Sequence, residues 1–195
     1  MRFLHTSDWH LGQHFMGQTR QAEHSALIDW LLVQTEVHAV DAVVIAGDIF
    51  DTGAPPSYAR ELYNQLIARL HQAGVGLLML GGNHDSVCVL GESRKLLAYL
   101  DTTVIAAVEG AAAHVVTLPL RGAAREPGCI VCALPFIRAR DVVQSQANQG
   151  AQDKQLALQA AIQKTYQHVY NAALARQAEL QQTRAASCPS LPLAT

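Results

Sequence analysis

A chain of 195 residues suits one domain, or most of a larger one, and is long enough to bury a real core. Half of its residues are hydrophobic and 15% are charged, which excludes a disordered chain, and a net charge of −2 excludes any sequence-wide attraction to nucleic acid or anionic membrane. No apolar run approaches the roughly 20 residues that span a bilayer, and the N-terminus has no secretory apolar core. The expectation is a cytoplasmic protein without a membrane partner.

"RFLHTSD" begins as a short strand. "QAEHSALIDWLLVQTEVHAV" carries Leu27, Ile28, Leu31, Leu32 and Val37 at helical spacing, so a helix follows. "DAVVIAGD" is a β-branched run closed by Gly47, the pattern of a buried parallel strand. "PPSYARELYNQLIARLHQAG" opens on proline and serine, stops at Gly74 and sets Leu62, Leu66, Ile67 and Leu70 on one stripe. "VGLLML" is a third buried strand, and "ESRKLLAYL" a short helix after it. Strand alternating with helix in this way predicts a parallel α/β sheet with right-handed crossovers.

After Asp101 the texture changes. "TTVIAAVE", "AAHVVTLPL" and "GCIVCALPF" are strand-like, with turn residues at Gly110 and "RGAAREPG" and no long helix between them, so part of the stretch is expected to be antiparallel. A long helix follows from "AQDKQLALQ" to "AELQQ", with Leu156, Ile162, Tyr166, Val169, Tyr170 and Leu174 suggesting one packed face. The tail "SCPSLPLAT" ends as though a new strand were beginning. Of the four cysteines, Cys129 and Cys132 form a C-x-x-C, but on a strand residues three apart point to opposite faces. Two small packed thiols are expected there, not a zinc or redox site.

Each of the three leading strands ends in a polar cluster: Asp8-Trp9-His10, then Gly47-Asp48-Ile49-Phe50-Asp51, then Gly81-Gly82-Asn83-His84-Asp85. Ligands of open α/β sheets bind beyond the carboxyl ends of strands, so the three clusters should converge. Extended backbone through Asp8-x-His10 would put a carboxylate and an imidazole on one face, able to grip one ion. Asp48 can bridge two ions, and Asn83 adds a ligand oxygen without charge. Mixed oxygen and nitrogen donors without thiolate suit Mn²⁺ first, then Mg²⁺, Fe or Zn²⁺. Two such ions, about 3.5–4 Å apart, can clamp the attacking and leaving oxygens of a phosphoryl transfer. His84 would then project toward substrate as a catalytic residue, with Asp51 or Asp85 orienting it or a ligand. Any one cluster alone reads as a turn or a helix cap; three at successive strand ends read as a metal site.

These residues carry a family resemblance. Asp8-x-His10, Gly47-Asp48-x-x-Asp51 and Gly82-Asn83-His84-Asp85 resemble the first three motifs of the calcineurin-like metallophosphoesterases. "LHTSDWHLGQ", "AGDIFDTGAPPSYAR", "GNHDSVCVLGESRKLLAYL" and "ALPFIRARDVVQSQA" are closer still to the DNA-nuclease branch of that family. The resemblance implies an α/β/β/α sandwich and two divalent cations, Mn²⁺ by preference. Asp8, His10, Asp48 and Asn83 would bind metal, and His84 would act in catalysis. It also implies 3′→5′ exonuclease action on double-stranded DNA ends and endonuclease action on hairpins and single strands, in recombination and replication processing. The implied partners are a coiled-coil ATPase and a second copy of the chain. Arg138 and Arg140 could contact phosphate.

Family members carry two further metal motifs, a Gly-His and a Gly-His-x-His, after a strand like "LPLAT", whereas this sequence stops at Thr195. On that reading residues 1–195 are the N-terminal part of a nuclease domain, without the last metal motifs, the DNA-capping domain or the ATPase-binding segment. Weak metal binding and little activity are expected of it alone. The rival readings are a metallophosphatase or phosphodiesterase acting on small substrates, and a non-catalytic module for dimerisation or partner binding.

Overall fold

The computed structural model describes residues 1–122, 125–143 and 150–187. In chain order come β1 (Phe3–Thr6), a hairpin of β2 (His14–Phe15) and β3 (Gln18–Thr19), α1 (Gln21–Val37), β4 (Ala42–Ala46), α2 (Ser57–Gln72) and β5 (Gly76–Leu80). Two short helices, α3 (Val87–Gly91) and α4 (Arg94–Ala98), lead to β6 (Thr102–Ile105). A 3₁₀ turn (Ala111–His114), β7 (Val115–Pro119), β8 (Pro127–Cys132), α5 (Ala139–Val142) and α6 (Ala151–Ser187) complete the order.

β1, β4, β5 and β6 form one parallel sheet in the order β1-β4-β5-β6, and β7 pairs antiparallel with β8 in a second. The strand period of two then builds both cores. On β4, Val43 and Ile45 face Ile28 and Leu31 of α1 and Leu66, Ile67 and Leu70 of α2. Ala42 and Val44, on the other face, pack with Leu78, Ile105, Leu118 and Ala133 between the two sheets. A central strand covered on both faces has no solvent side, which is why "AVVIA" is apolar throughout. With α6 packed over β8 and the 3₁₀ turn, the layers run helix, sheet, sheet, helix, as the resemblance implies.

Several expectations need correction. Val37 is 68% exposed, because α1 ends there and its side chain lies past the sheet. On α6 only Val169 of the expected apolar face is buried; Ile162 is half-buried, and Leu156, Tyr166, Tyr170 and Leu174 are exposed. A 37-residue helix outreaches the small sheet beneath it. Cys129 packs in the inter-sheet core as expected, but Cys132, three residues on, is exposed. Cys188, the tail after it and Ala123–Ala124 of the expected turn lie outside the described residues. Among the described residues no helix is long and apolar enough to cross a membrane.

Candidate metal centre at the strand ends

The three polar clusters do converge. The loop after β1 is zipped to the loop after β4 by main-chain bonds: Asp8 N–H to Gly47 O (3.2 Å), His10 N–H to Asp48 O (2.9 Å) and Leu11 N–H to Ile49 O (2.9 Å). Gly47 N–H donates to Leu80 O at 3.0 Å and joins the β4 loop to the end of β5. Trp9 is the anchor between the two β1 residues: it is 4% exposed in the core, and its Nε1–H donates to Thr6 Oγ1 at 2.9 Å. With Trp9 pinned inward, Asp8 and His10 are left at the surface of the cleft.

The means differs from the extended geometry expected for Asp8-x-His10. β1 ends at Thr6, and Asp8 (φ 57°), His10 (φ 48°) and Asp48 (φ 47°) all adopt left-handed backbone. That conformation costs a non-glycine residue roughly 1–2 kcal/mol and concentrates at functional sites. It is tight turns, not a strand face, that bring the side chains together. One ligand atom each from Asp8, His10 and Asp48 lies within 4.8 Å of the others.

Gly82 closes the arrangement. A Cβ on it would collide with the Asp48 carboxylate and main chain, so the glycine makes room for Asp48 and not, as expected, for a ligand. Asp48 is buried, and its Oδ1 accepts the His84 N–H at 3.0 Å. Asp85, 4% exposed, accepts three main-chain bonds: from Gly82 (2.8 Å) and Ile49 (3.1 Å) at Oδ2, and from Phe50 (2.9 Å) at Oδ1. It staples the β5 loop to the β4 loop. Asn83 and His84 are exposed on the loop thus held, and Asn83 lines a cleft of about 320 Å³ with Asp8, Asp48 and Phe136.

His84 meets His10 edge to face, with ring centroids 4.9 Å apart, and its Nδ1–H donates to the Asp51 carbonyl oxygen at 2.9 Å. One ligand atom each from His10, Asp51 and His84 also falls within 4.8 Å of the others. His10 Nδ1 lies 3.2 Å from Asp51 Oδ1 without hydrogen-bond alignment, so this buried nitrogen has no hydrogen-bond partner. No lysine or arginine is among the described residues lining the cleft, although two carboxylates face it. Like charges so placed repel unless a cation sits between them. The orphaned imidazole nitrogen, the paired carboxylates and the neutral amide suit divalent cations well.

The remaining histidines have other duties where partners are seen. His114 is buried, with Nε2 accepting the Glu109 N–H and Nδ1–H donating to Ala133 O, and His71 pairs with Asp101. Arg138, read from sequence as a phosphate contact, bonds instead to the main chain at Gly82 and Asp85. Arg140 is exposed.

A parallel sheet whose strand ends gather two aspartates, a histidine and an asparagine beside a second histidine defines a metal-dependent phosphoesterase. The family model for calcineurin-like phosphoesterases matches residues 1–122, a span that holds all three motifs, and the chain belongs to that family. Among curated proteins it is similar to SbcD, the smaller-lettered half of the SbcCD nuclease, from Escherichia coli K12: 52% identical over 170 residues, covering 87% of this chain and 41% of that protein. The SbcD proteins of Bacillus subtilis and Rhodobacter capsulatus are 39% identical over 87 residues and 34% over 148. Those matches cover 44% and 73% of this chain, and 22% and 36% of those proteins. The chain thus spans less than half the length of the relatives it matches.

Proposed function

We propose that this chain is the phosphodiesterase portion of an SbcCD-type DNA nuclease, hydrolysing backbone phosphodiesters with two divalent cations, Mn²⁺ by preference. Asp8, His10 and Asp48 would hold the first cation, and Asp48 and Asn83 the second. When bound, such a pair stabilises charge on the phosphoryl oxygens and makes water nucleophilic at neutral pH. The remaining work belongs to the chain's own groups. Asp48 is fixed by the His84 N–H at one oxygen, which leaves the other to face the cleft. His84 is held at Nδ1 by Asp51, so its Nε2 is available to pass a proton to the departing DNA oxygen. Asp85 keeps both loops in register.

The observation that carries this reading is the approach of Asp8, His10 and Asp48 to within 4.8 Å at the ends of separate strands. The substrates proposed are double-stranded DNA ends and hairpins, and the partner a coiled-coil ATPase of the SbcC type. A second copy of the chain is also proposed: Leu96 and Tyr99, one helical turn apart at α4, are 64% and 84% exposed, whereas Leu62, Leu66 and Ile67 of α2 are buried in the core.

The test compares Mn²⁺-dependent cleavage of hairpin DNA with that of a small chromogenic phosphodiester, for the wild type and Asp48→Asn. Preference for DNA, abolished by the substitution, supports the proposal. Preference for the small ester shifts the reading to a small-substrate phosphodiesterase, and cleavage that survives Asp48→Asn removes the metal centre from the mechanism.

A further inference from the structure

We propose that Arg138 is a positioning residue for this centre, clamping the loop that presents Asn83 and His84; the proposal rests on the two-cation reading above. Arg138 lies at the start of α5, beyond the end of β8. Its Nη2 donates to Gly82 O at 3.0 Å and to Asp85 O at 2.9 Å, the two carbonyls that bracket Asn83 and His84. The neighbouring Phe136 N–H donates to Gly81 O at 2.8 Å, and the guanidinium lies 5.9 Å from the Phe136 ring centroid. The chain leaving the second sheet is therefore stapled to the strand end of the first.

The loop from Gly82 to Asp85 is then held from two sides. The Asp85 carboxylate draws its main-chain N–H groups toward β4, and Arg138 takes its outward carbonyls. Nη1 is buried and has no partner among the described residues, so the second arm of the fork is not spread on the surface to meet solvent or DNA. Arg140, two residues on, is the contrast: its side chain is 78% exposed and its ion pair with Asp141 is a loose 3.8 Å. Without Arg138 two carbonyls lose their charged donor, and the loop is tethered from the Asp85 side alone. Groups that orient metal ligands from behind commonly change metal affinity about 10- to 100-fold when removed.

The test uses the whole chain and three variants, Arg138→Ala, Arg138→Lys and Arg140→Ala. The measurements are amide hydrogen exchange at Gly82 and His84, the Mn²⁺ dissociation constant by electron paramagnetic resonance, and kcat and KM on a small chromogenic phosphodiester. Arg138→Ala is expected to weaken Mn²⁺ binding about tenfold, speed exchange at both amides about tenfold and lower kcat far more than it changes KM. Arg138→Lys should recover part of each loss, and Arg140→Ala should match the wild type. A folded Arg138→Ala with wild-type exchange and Mn²⁺ affinity overturns the proposal. If the alanine variant does not fold, the lysine variant decides: intermediate values support the clamp and wild-type values overturn it. A wild-type chain that binds no Mn²⁺ overturns the metal centre and this proposal together, and that result is seen before any variant is made.

Discussion

His84 donates its Nδ1 proton to the main-chain carbonyl of Asp51 at 2.9 Å, and this bond decides which ring nitrogen is left for chemistry. A carbonyl can only accept, so Nδ1 carries the hydrogen and Nε2 of the neutral ring is bare. A protonated ring can give up its Nε2 proton without disturbing the Asp51 bond. His84→Gln is therefore expected to lower kcat on a phosphodiester about 100- to 10,000-fold while leaving Mn²⁺ affinity nearly unchanged. Steady-state kinetics beside a Mn²⁺ titration check this; parallel loss of both would make His84 a ligand.

Asp85 is predicted to matter first for stability. Its carboxylate is buried and accepts three main-chain N–H groups from two loops. Asp85→Ala leaves all three donors without it, at a cost of about 3 kcal/mol or more in chemical denaturation. Loss of less than 1 kcal/mol, about the value of one ordinary hydrogen bond, would show that water replaces the carboxylate freely.

Gly82 and Gly47 should respond differently to alanine. At Gly82 the added methyl meets the Asp48 carboxylate and main chain, so Gly82→Ala is expected to displace Asp48, destabilise the fold by about 2–3 kcal/mol and weaken Mn²⁺ binding about tenfold. At Gly47 the nearest obstacle is the Gly82 Cα at 3.5 Å, and the cost is the positive φ of 92° alone, about 1 kcal/mol. Thermal unfolding and Mn²⁺ titration of both variants check the order.

Stability should fall in two acid steps. Burial holds the His24 imidazole below its ordinary 6.5, with Arg20 adding to the effect. The native ring stays neutral while the unfolded one takes a proton, so stability is full above pH 6.5 and declines as pH falls toward the lower native value. Asp41 gives the second step. Burial pushes its carboxyl up, but the N–H groups of Arg121 and Arg2 outweigh this and hold it below 3.8. Its contribution is present above 3.8 and is lost as pH falls through the native value. His24→Gln should flatten the first step in urea midpoints across pH and leave the second.

The parallel sheet was legible because its central strands are covered on both faces, and "AVVIA" and "GLLML" hold no polar residue. The convergence of Asp8, Asp48 and Asn83 followed from parallel strand direction. Their local geometry did not: left-handed φ at Asp8, His10 and Asp48 is imposed by the bonds to neighbouring loops and by Trp9, which short-range pattern does not encode. Nor is a two-residue strand such as β2 long enough to show alternation. Periodicity misled on α6, where Tyr166, Tyr170 and Leu174 share a helical face but no partner among the described residues buries them. Arg138 was invisible for a related reason: its partners lie 53 and 56 residues away, and an arginine between polar neighbours looks like surface.

The central claim is that side chains from separate strand ends share a pair of cations. Crystals of the chain soaked in Mn²⁺ and measured at the manganese absorption edge test it most directly. The account predicts two anomalous peaks about 3.5–4 Å apart, one against Asp8, His10 and Asp48 and the other against Asp48 and Asn83. Peaks confined to His10, Asp51 and His84, or found only away from this cleft, would contradict it.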